Sequence, residues 1–169
     1  MRCWKTVDDI VIAKVTEIGA DGHYKWKSIY VVGYSHGGAL AALCHECIWY
    51  HRPDLRAEGL EGYGFEAPRI FAGFFMKKEL KERWAHFTVY RNNMDIVTHL
   101  PPLVFGFRHV GKMVKIKTSP KVGLIDSHRR TYVRTGLGEI LDIKNELWRE
   151  RTRSKDKSVC VCEDFESEK

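Results

Sequence analysis

The chain reads Ile29-Tyr30-Val31-Val32-Gly33-Tyr34-Ser35-His36-Gly37-Gly38-Ala39-Leu40-Ala41, a β-branched run that passes through Gly-x-Ser-x-Gly into an Ala/Leu-rich segment. This pattern predicts a strand, a sharp turn and a helix, the setting in which a nucleophilic serine is expected. Such a turn holds its serine in a strained backbone conformation. We expect it to require glycine at Gly33 and Gly37, because side chains there would collide with the turn. Ser35 is therefore the candidate nucleophile, and the alternative is a glycine-rich junction with an idle serine.

The sequence on either side of this segment predicts alternating helices and strands. Apolar spacing predicts helices over about residues 4–18, 36–50, 71–84 and 138–151, and strands over about 28–34, 60–66, 86–91 and 112–117. This alternation implies right-handed crossovers and a mostly parallel sheet flanked by helices. The predicted fold class is α/β, with residues 1–151 forming one domain and residues 152–169 forming a charged flexible tail.

The composition is that of a soluble globular protein. The 169 residues are 44% hydrophobic and 30% charged, which is ordinary for such proteins and enough to build one core. Charged residues or histidine interrupt every apolar run before it reaches the length of a membrane span. The N-terminus does not have the pattern of a secretory signal. We therefore expect no transmembrane segment and a cytoplasmic location.

The charge and the cysteines argue against nucleic acid and metal. The net charge of +6 comes from 28 basic and 22 acidic groups that are intermixed along the chain, which favours a solvated surface over a site for nucleic acid. Cys44 and Cys47 lie in a predicted helix, and Cys160 and Cys162 lie in the tail with a spacing unlike that of a zinc knuckle. We expect reduced thiols and no metal site.

An acid and a base are predicted at the same edge of the sheet as Ser35. Asp95 follows the third predicted strand and His128 lies in the loop after the fourth, where parallel sheets collect their functional residues. A histidine takes the serine proton, and a buried carboxylate orients that histidine. Ser35, Asp95 and His128 have the chain order of the hydrolases that use such a serine turn. The backbone N–H of His36 is predicted to donate to the oxyanion.

Two other histidines follow Asp95 and are alternative bases. His99 is joined to two prolines, which is typical of a fixed loop, and His109 precedes the fourth predicted strand instead of following it. We therefore favour His128. Asp95 could instead be a turn-forming residue without a catalytic role, since Asn-Asn-Met-Asp is rich in turn-forming residues.

Five segments resemble those of the class 3, fungal-type triacylglycerol lipases, in the order in which that family has them. The resemblance spans about residues 25–133. Its segments are Gly33-Tyr34-Ser35-His36-Gly37-Gly38-Ala39-Leu40-Ala41, Gly64-Phe65-Glu66-Ala67-Pro68-Arg69, Phe87-Thr88-Val89-Tyr90-Arg91-Asn92-Asn93-Met94-Asp95-Ile96-Val97-Thr98-His99-Leu100-Pro101-Pro102, Phe107-Arg108-His109-Val110-Gly111 and Asp126-Ser127-His128 with Tyr132.

The resemblance implies an α/β-hydrolase fold, present here in part. It also implies hydrolysis of carboxylic esters, typically lipids, through an acyl-enzyme on Ser35, with neither a metal nor an organic cofactor. Asp95 and His128 match the positions of the family's acid and base. The implied partner is therefore a lipid or other ester substrate.

The chain departs from the family before the serine turn. Members of the family carry earlier strands, a lid helix and a second oxyanion donor there, whereas this sequence offers one helix and a turn. We expect either a fragment of a longer product or a shortened member, and loss of one oxyanion donor costs about a hundredfold to a thousandfold in turnover. Missing strands would expose a sheet edge. The alternative function is thus a truncated, catalytically silent domain that acts by association with another chain through this edge, for example by self-association.

Overall fold

The computed structural model of the chain is built on a four-stranded parallel sheet. It describes residues 2–73, 78–116, 123 and 125–129. The sheet contains β1 (Ile29–Tyr34), β2 (Leu60–Phe65), β4 (Phe87–Asn92) and β6 (Lys112–Ile116) in the order β1-β2-β4-β6. A separate antiparallel pair joins β3 (Phe71–Ala72) to β5 (Phe107–Arg108). The helices are α1 (Arg2–Val15), α2 (His36–His51) and α3 (Lys78–Arg83).

The register of the sheet aligns the ends of the strands that carry the predicted site. Gly33 is paired with Gly64, and Tyr34 with Phe65, at the last residues of β1 and β2. Phe65 is paired in turn with Tyr90 near the end of β4. Since all these strands are parallel, the loops that follow them leave the sheet at one edge. The mostly parallel α/β sheet predicted from the sequence is confirmed.

The core lies between α2 and the sheet. The first half of α2 buries small residues against the strands, which brings the helix backbone close to the sheet. One buried cluster contains Ala41, Ala42, Trp84, Phe87, Val89 and Val110, and a second contains Val15, Ile48, Leu55 and Leu60. The second cluster fixes α1, because Val15 at the end of α1 is part of it. At about 25 cal/mol per Å² of apolar surface, this burial is the main stabilising contribution.

Two predicted helices differ from the observed ones. The helix predicted for residues 71–84 is wrong over its first residues, because Phe71 and Ala72 form β3 and pair with β5, which is 35 residues or more away in sequence. Later residues of this range do form a helix, α3 (Lys78–Arg83). The first helix ends at Val15 and not near Gly19, because Ile18 instead forms an antiparallel bridge with Tyr24. Both errors reflect pairing partners that local apolar spacing cannot reveal.

Two predictions fall outside the described residues. These are the helix at about 138–151 and the boundary between the domain of residues 1–151 and the tail of residues 152–169. Within the part that is described, no helix combines the length and the apolar character that crossing a membrane would demand.

A buried arginine and a buried histidine contribute polar groups to the interior of the fold. Arg52 is fully buried and donates to the carbonyl oxygens of Val15 and Trp26 and, at 2.8 Å, to the Asp54 carboxylate. His45 stacks on Trp84 with ring centroids 5.5 Å apart. Burial lowers the pKa of His45 to about 4, so this imidazole is neutral at pH 7 and acts as part of the core.

Candidate active site

The predicted serine turn forms between β1 and α2. Ser35 has φ 55° and ψ −127°, a backbone conformation that is strained for a residue with a side chain. Its N–H donates to the carbonyl of Phe65 at the end of β2 with a distance of 2.8 Å. The strand before it and the helix after it are both fixed by the core, so the strain is maintained by the surrounding packing.

The collision predicted for side chains in this turn occurs at Gly33 but not at Gly37. A Cβ atom at Gly33 would lie 2.0 Å from the carbonyl oxygen of Gly37, so glycine is essential there. A Cβ at Gly37 would meet nothing within 4 Å, and the prediction that Gly37 avoids a collision is wrong. Gly38 is the tighter position, since its Cβ would lie 2.8 Å from that of Ala67. The clash at Gly33 would be with backbone atoms of Gly37, so it would remain whichever residue occupied position 37.

Ser35, Asp95 and His128 meet at the edge of the sheet. The Nε2 atom of His128 lies 2.7 Å from the Oγ atom of Ser35, and its Nδ1 atom lies 2.5 Å from the Oδ2 atom of Asp95. Asp95 is fully buried, whereas the His128 side chain is 22% exposed. The imidazole therefore joins a buried carboxylate to a hydroxyl that is partly accessible.

The two alternative histidines lie elsewhere and make structural contacts. The Nε2 atom of His109 is 2.9 Å from the carbonyl oxygen of Thr98, and burial lowers the pKa of His109 to about 4. The Nδ1 atom of His99 is 2.9 Å from the backbone carbonyl of Asp95, not from its carboxylate. Both histidines hold the acid-bearing loop in place.

The loop of Asp95 is fixed by Arg69, from a Pro-Arg pair that was noted in the sequence only as part of the resemblance to class 3 lipases. The guanidinium of Arg69 donates to the carbonyl oxygens of His99 and Pro101, the second at 2.9 Å. The Oδ1 atom of Asp95 accepts the N–H of Val97 at 2.9 Å, so the carboxylate also caps the 3₁₀ turn Ile96–His99. Oδ2 is left to face His128.

His128 is held by two residues that the sequence reasoning did not identify. The hydroxyl of Tyr34 donates to the backbone carbonyl of His128, and the two rings lie 5.4 Å apart. The side-chain amide of Asn92 donates to the carbonyl of Ser127 at 3.2 Å. Tyr34 is the first variable residue of Gly-x-Ser-x-Gly and Asn92 directly follows the strand predicted for residues 86–91, so neither carried a distinctive signal.

His36 is the first residue of α2. The amides of the first helical turn have no acceptor within the helix and carry the positive end of its dipole. The predicted oxyanion donor, the backbone N–H of His36, therefore belongs to a set of groups suited to a developing negative charge.

Glu66 completes the polar cluster. Among the described residues, Glu66, Asp95 and His128 form the one group whose acidic and imidazole atoms could share a metal ion, since these atoms lie within 4.8 Å of one another. Both nitrogens of His128 are already engaged, with Ser35 and with Asp95. The geometry is that of a hydrogen-bonded network.

Comparison with known proteins identifies the family of the chain. The family model described as Lipase (class 3) matches residues 1–105. A lipase of Rhizomucor miehei is 36% identical over 93 residues, which are 53% of this chain and 24% of that protein. The chain thus spans about a quarter of the length of that curated relative.

Solved structures of lipases overlap the chain in part. The triacylglyceride lipase of Rhizomucor miehei is 26% identical with a TM-score of 0.46, covering 69% of this chain and 40% of the other. The mono- and diacylglycerol lipase of Aspergillus oryzae is 24% identical with a TM-score of 0.48, covering 77% and 48%. Because the family model matches more than half of the residues, and the described sheet is parallel and flanked by helices, the chain belongs to the class 3 lipase family and has a partial α/β-hydrolase fold.

Proposed function

We propose that the chain hydrolyses carboxylic esters through an acyl-enzyme on Ser35. The observation that carries this proposal is the pair of hydrogen bonds made by His128, at 2.7 Å to Ser35 and 2.5 Å to Asp95. A serine, a histidine and a buried carboxylate connected in this way form the arrangement that activates a hydroxyl for acyl transfer.

The proposed reaction has two halves. In the first, Nε2 of His128 takes the Ser35 proton while Oγ attacks the ester carbonyl. The resulting oxyanion accepts a hydrogen bond from the backbone N–H of His36. Asp95 stabilises the imidazolium, which then gives its proton to the leaving alkoxide. In the second half, His128 takes a proton from water, the hydroxide attacks the acyl group, and Ser35 regains its proton as the acid leaves. These steps use side chains, backbone and water alone.

The proposed substrate is a lipid ester. The segment that follows Asp95 along the chain exposes several large apolar side chains. The exposed fraction reaches 76% at Val104 and 69% at Phe105. The other large apolar residues exposed on this segment are Ile96, Leu100 and Leu103. A water-accessible apolar segment of this kind suits an acyl chain or a lipid surface better than a charged ester.

Labelling with a fluorophosphonate probe tests the proposed function. The purified chain is incubated with the probe, and the adduct is located by mass spectrometry of peptides. We expect one adduct at Ser35 that His128→Ala abolishes, because the probe reacts only with an activated serine. His86→Ala, which changes an exposed histidine, is the matched control and should leave labelling intact. A folded protein that is not labelled at Ser35 would contradict the proposal.

Association with a second copy of the chain is a second candidate function. Within the described sheet, β1 is paired on one side only, and Tyr30 and Val32 on this strand are 65% and 61% exposed. Unpaired strands with apolar side chains promote pairing between chains. This association would be the function of the chain if it were catalytically silent.

Sedimentation velocity tests the association. We expect wild type to form a dimer as its concentration rises, and the double variant Tyr30→Lys with Val32→Lys to stay monomeric, because edge lysines oppose pairing. Met113→Lys changes an exposed residue of β6 at the other end of the described sheet and should still dimerise. A wild-type monomer at every concentration would exclude the candidate.

A further inference from the structure

Glu66 is a buried acid that the proposed reaction does not use. It follows β2 directly, its side chain is fully buried, and its φ of 50° lies in the left-handed region that residues other than glycine rarely adopt. Its N–H donates to the carbonyl of Tyr90 at 2.8 Å. Both carboxyl oxygens lie 3.1 Å from the N–H of Asn92. The carboxyl group is therefore held in one orientation at the end of β4.

That orientation points Glu66 at the triad acid. Carboxyl oxygens of Glu66 and Asp95 lie within 4.8 Å of each other, close enough for the two groups to share a proton, and both residues are fully buried. Two ionised carboxylates in such contact repel each other strongly, so one of them must hold a proton. Asp95 accepts the N–H of Val97 and faces Nδ1 of His128, roles that an ionised carboxylate fills. The shared proton therefore belongs on Glu66.

The charges around Glu66 agree with this assignment. Burial is the largest cause that raises the pKa of Glu66 to about 9, and the hydrogen bond to Asp95 and its charge add to it. The Asn92 N–H and the charge of Arg91 act in the opposite direction and are outweighed. Among the histidine, cysteine and acidic side chains of the described residues, His128 is the third member of this cluster.

We propose that Glu66 is a positioning residue that donates a hydrogen bond to Asp95 and so keeps the Asp95 carboxylate aligned with His128. The effect on turnover rests on the proposed esterase function, whereas the hydrogen bond itself does not. Glu66 acts through Asp95 and touches neither Ser35 nor the substrate. Asp95 then has three donors around it, from Val97, His128 and Glu66, which fix both of its oxygens.

Protonated Glu66 makes the stability of the fold depend on pH. An acid whose pKa is raised from 4.5 to about 9 by folding stabilises the native state fully below pH 4.5, and this contribution is lost as pH rises toward 9. The unfolding equilibrium constant should therefore rise about tenfold per pH unit over pH 7.5–8.5 relative to Glu66→Gln. Glu66→Gln removes the titration and keeps every other group, and its amide can still donate to Asp95 and accept from Asn92.

The experiment compares wild type, Glu66→Gln and Glu66→Met by three measurements. Denaturant unfolding at several pH values reports the proton on Glu66. The low-field proton NMR resonance of Nδ1 of His128 reports the hydrogen bond to Asp95. Hydrolysis of a soluble p-nitrophenyl ester at pH 7.5 reports catalysis. We expect Glu66→Gln to keep the resonance and the turnover, and Glu66→Met to shift or broaden the resonance and lower kcat about tenfold or more with little change in KM.

The outcomes separate the two proposals. Equal pH dependence of unfolding in wild type and Glu66→Gln would overturn the protonated state. An unchanged Nδ1 resonance in folded Glu66→Met would overturn the positioning role, as would a kcat equal to that of wild type. If the resonance and the unfolding behave as expected but no form hydrolyses esters, the Glu66–Asp95 bond stands and the esterase function fails. Both variants change the same buried position. If Glu66→Gln keeps the resonance and Glu66→Met loses it, the loss is due to the missing hydrogen-bond donor and not to a general disturbance of the packing.

Discussion

Replacing Ser35 with alanine is expected to lower kcat/KM for ester hydrolysis by about 10⁴-fold or more. The Ser35 oxygen 2.7 Å from Nε2 of His128 is the atom that would form the acyl-enzyme, and alanine has no nucleophile to take its place. The fold should be unaffected, since the Ser35 side chain makes no capping bond to α2. Hydrolysis of a p-nitrophenyl ester, measured with matched thermal unfolding, tests this expectation.

Ser28→Ala is the control for this variant. Ser28 is an exposed serine just before β1, so its replacement should change neither hydrolysis nor stability. His128→Ala should match Ser35→Ala within about tenfold, because residues that act as one unit do not contribute additively. Hydrolysis that survives Ser35→Ala at the wild-type rate would show that another group performs the reaction.

Replacing Gly33 with alanine is expected to destabilise the fold by about 3 kcal/mol or more. The new Cβ would lie 2.0 Å from the carbonyl oxygen and 2.3 Å from the carbonyl carbon of Gly37. A backbone contact cannot be relieved by rotating a side chain, so β1 and α2 would have to separate. The measurement is the free energy of unfolding in urea, followed by circular dichroism.

Gly37→Ala is the matched control, because a Cβ there meets nothing within 4 Å. Alanine favours the helical conformation over glycine by about 1 kcal/mol, so stability should be unchanged or slightly higher. Equal stability of the two variants would show that the approach of Gly33 to Gly37 is looser than the structure indicates.

Local patterns predicted the elements whose apolar periodicity was long and regular. The run Ile29–Tyr34 and the Ala/Leu-rich segment after it became β1 and α2 with bounds within a residue or so of those predicted. The prediction that Phe71 begins a helix was wrong, because Phe71 belongs to β3, which forms by pairing with β5. Such short strands are stabilised by a distant partner and carry no periodic pattern of their own.

The amino-acid sequence alone was enough to predict the α/β class, the strained serine turn and the chain order of Ser35, Asp95 and His128. It could do so because strand ends, glycine spacing and turn residues are local properties. The choice of His128 over His99 and His109 as the partner of the Ser35 hydroxyl and the Asp95 carboxylate became definite only in three dimensions. That choice depends on Tyr34 and Asn92 holding the loop of His128. The proton assigned to Glu66 depends likewise on burial and on Asp95, which no pattern along the chain specifies.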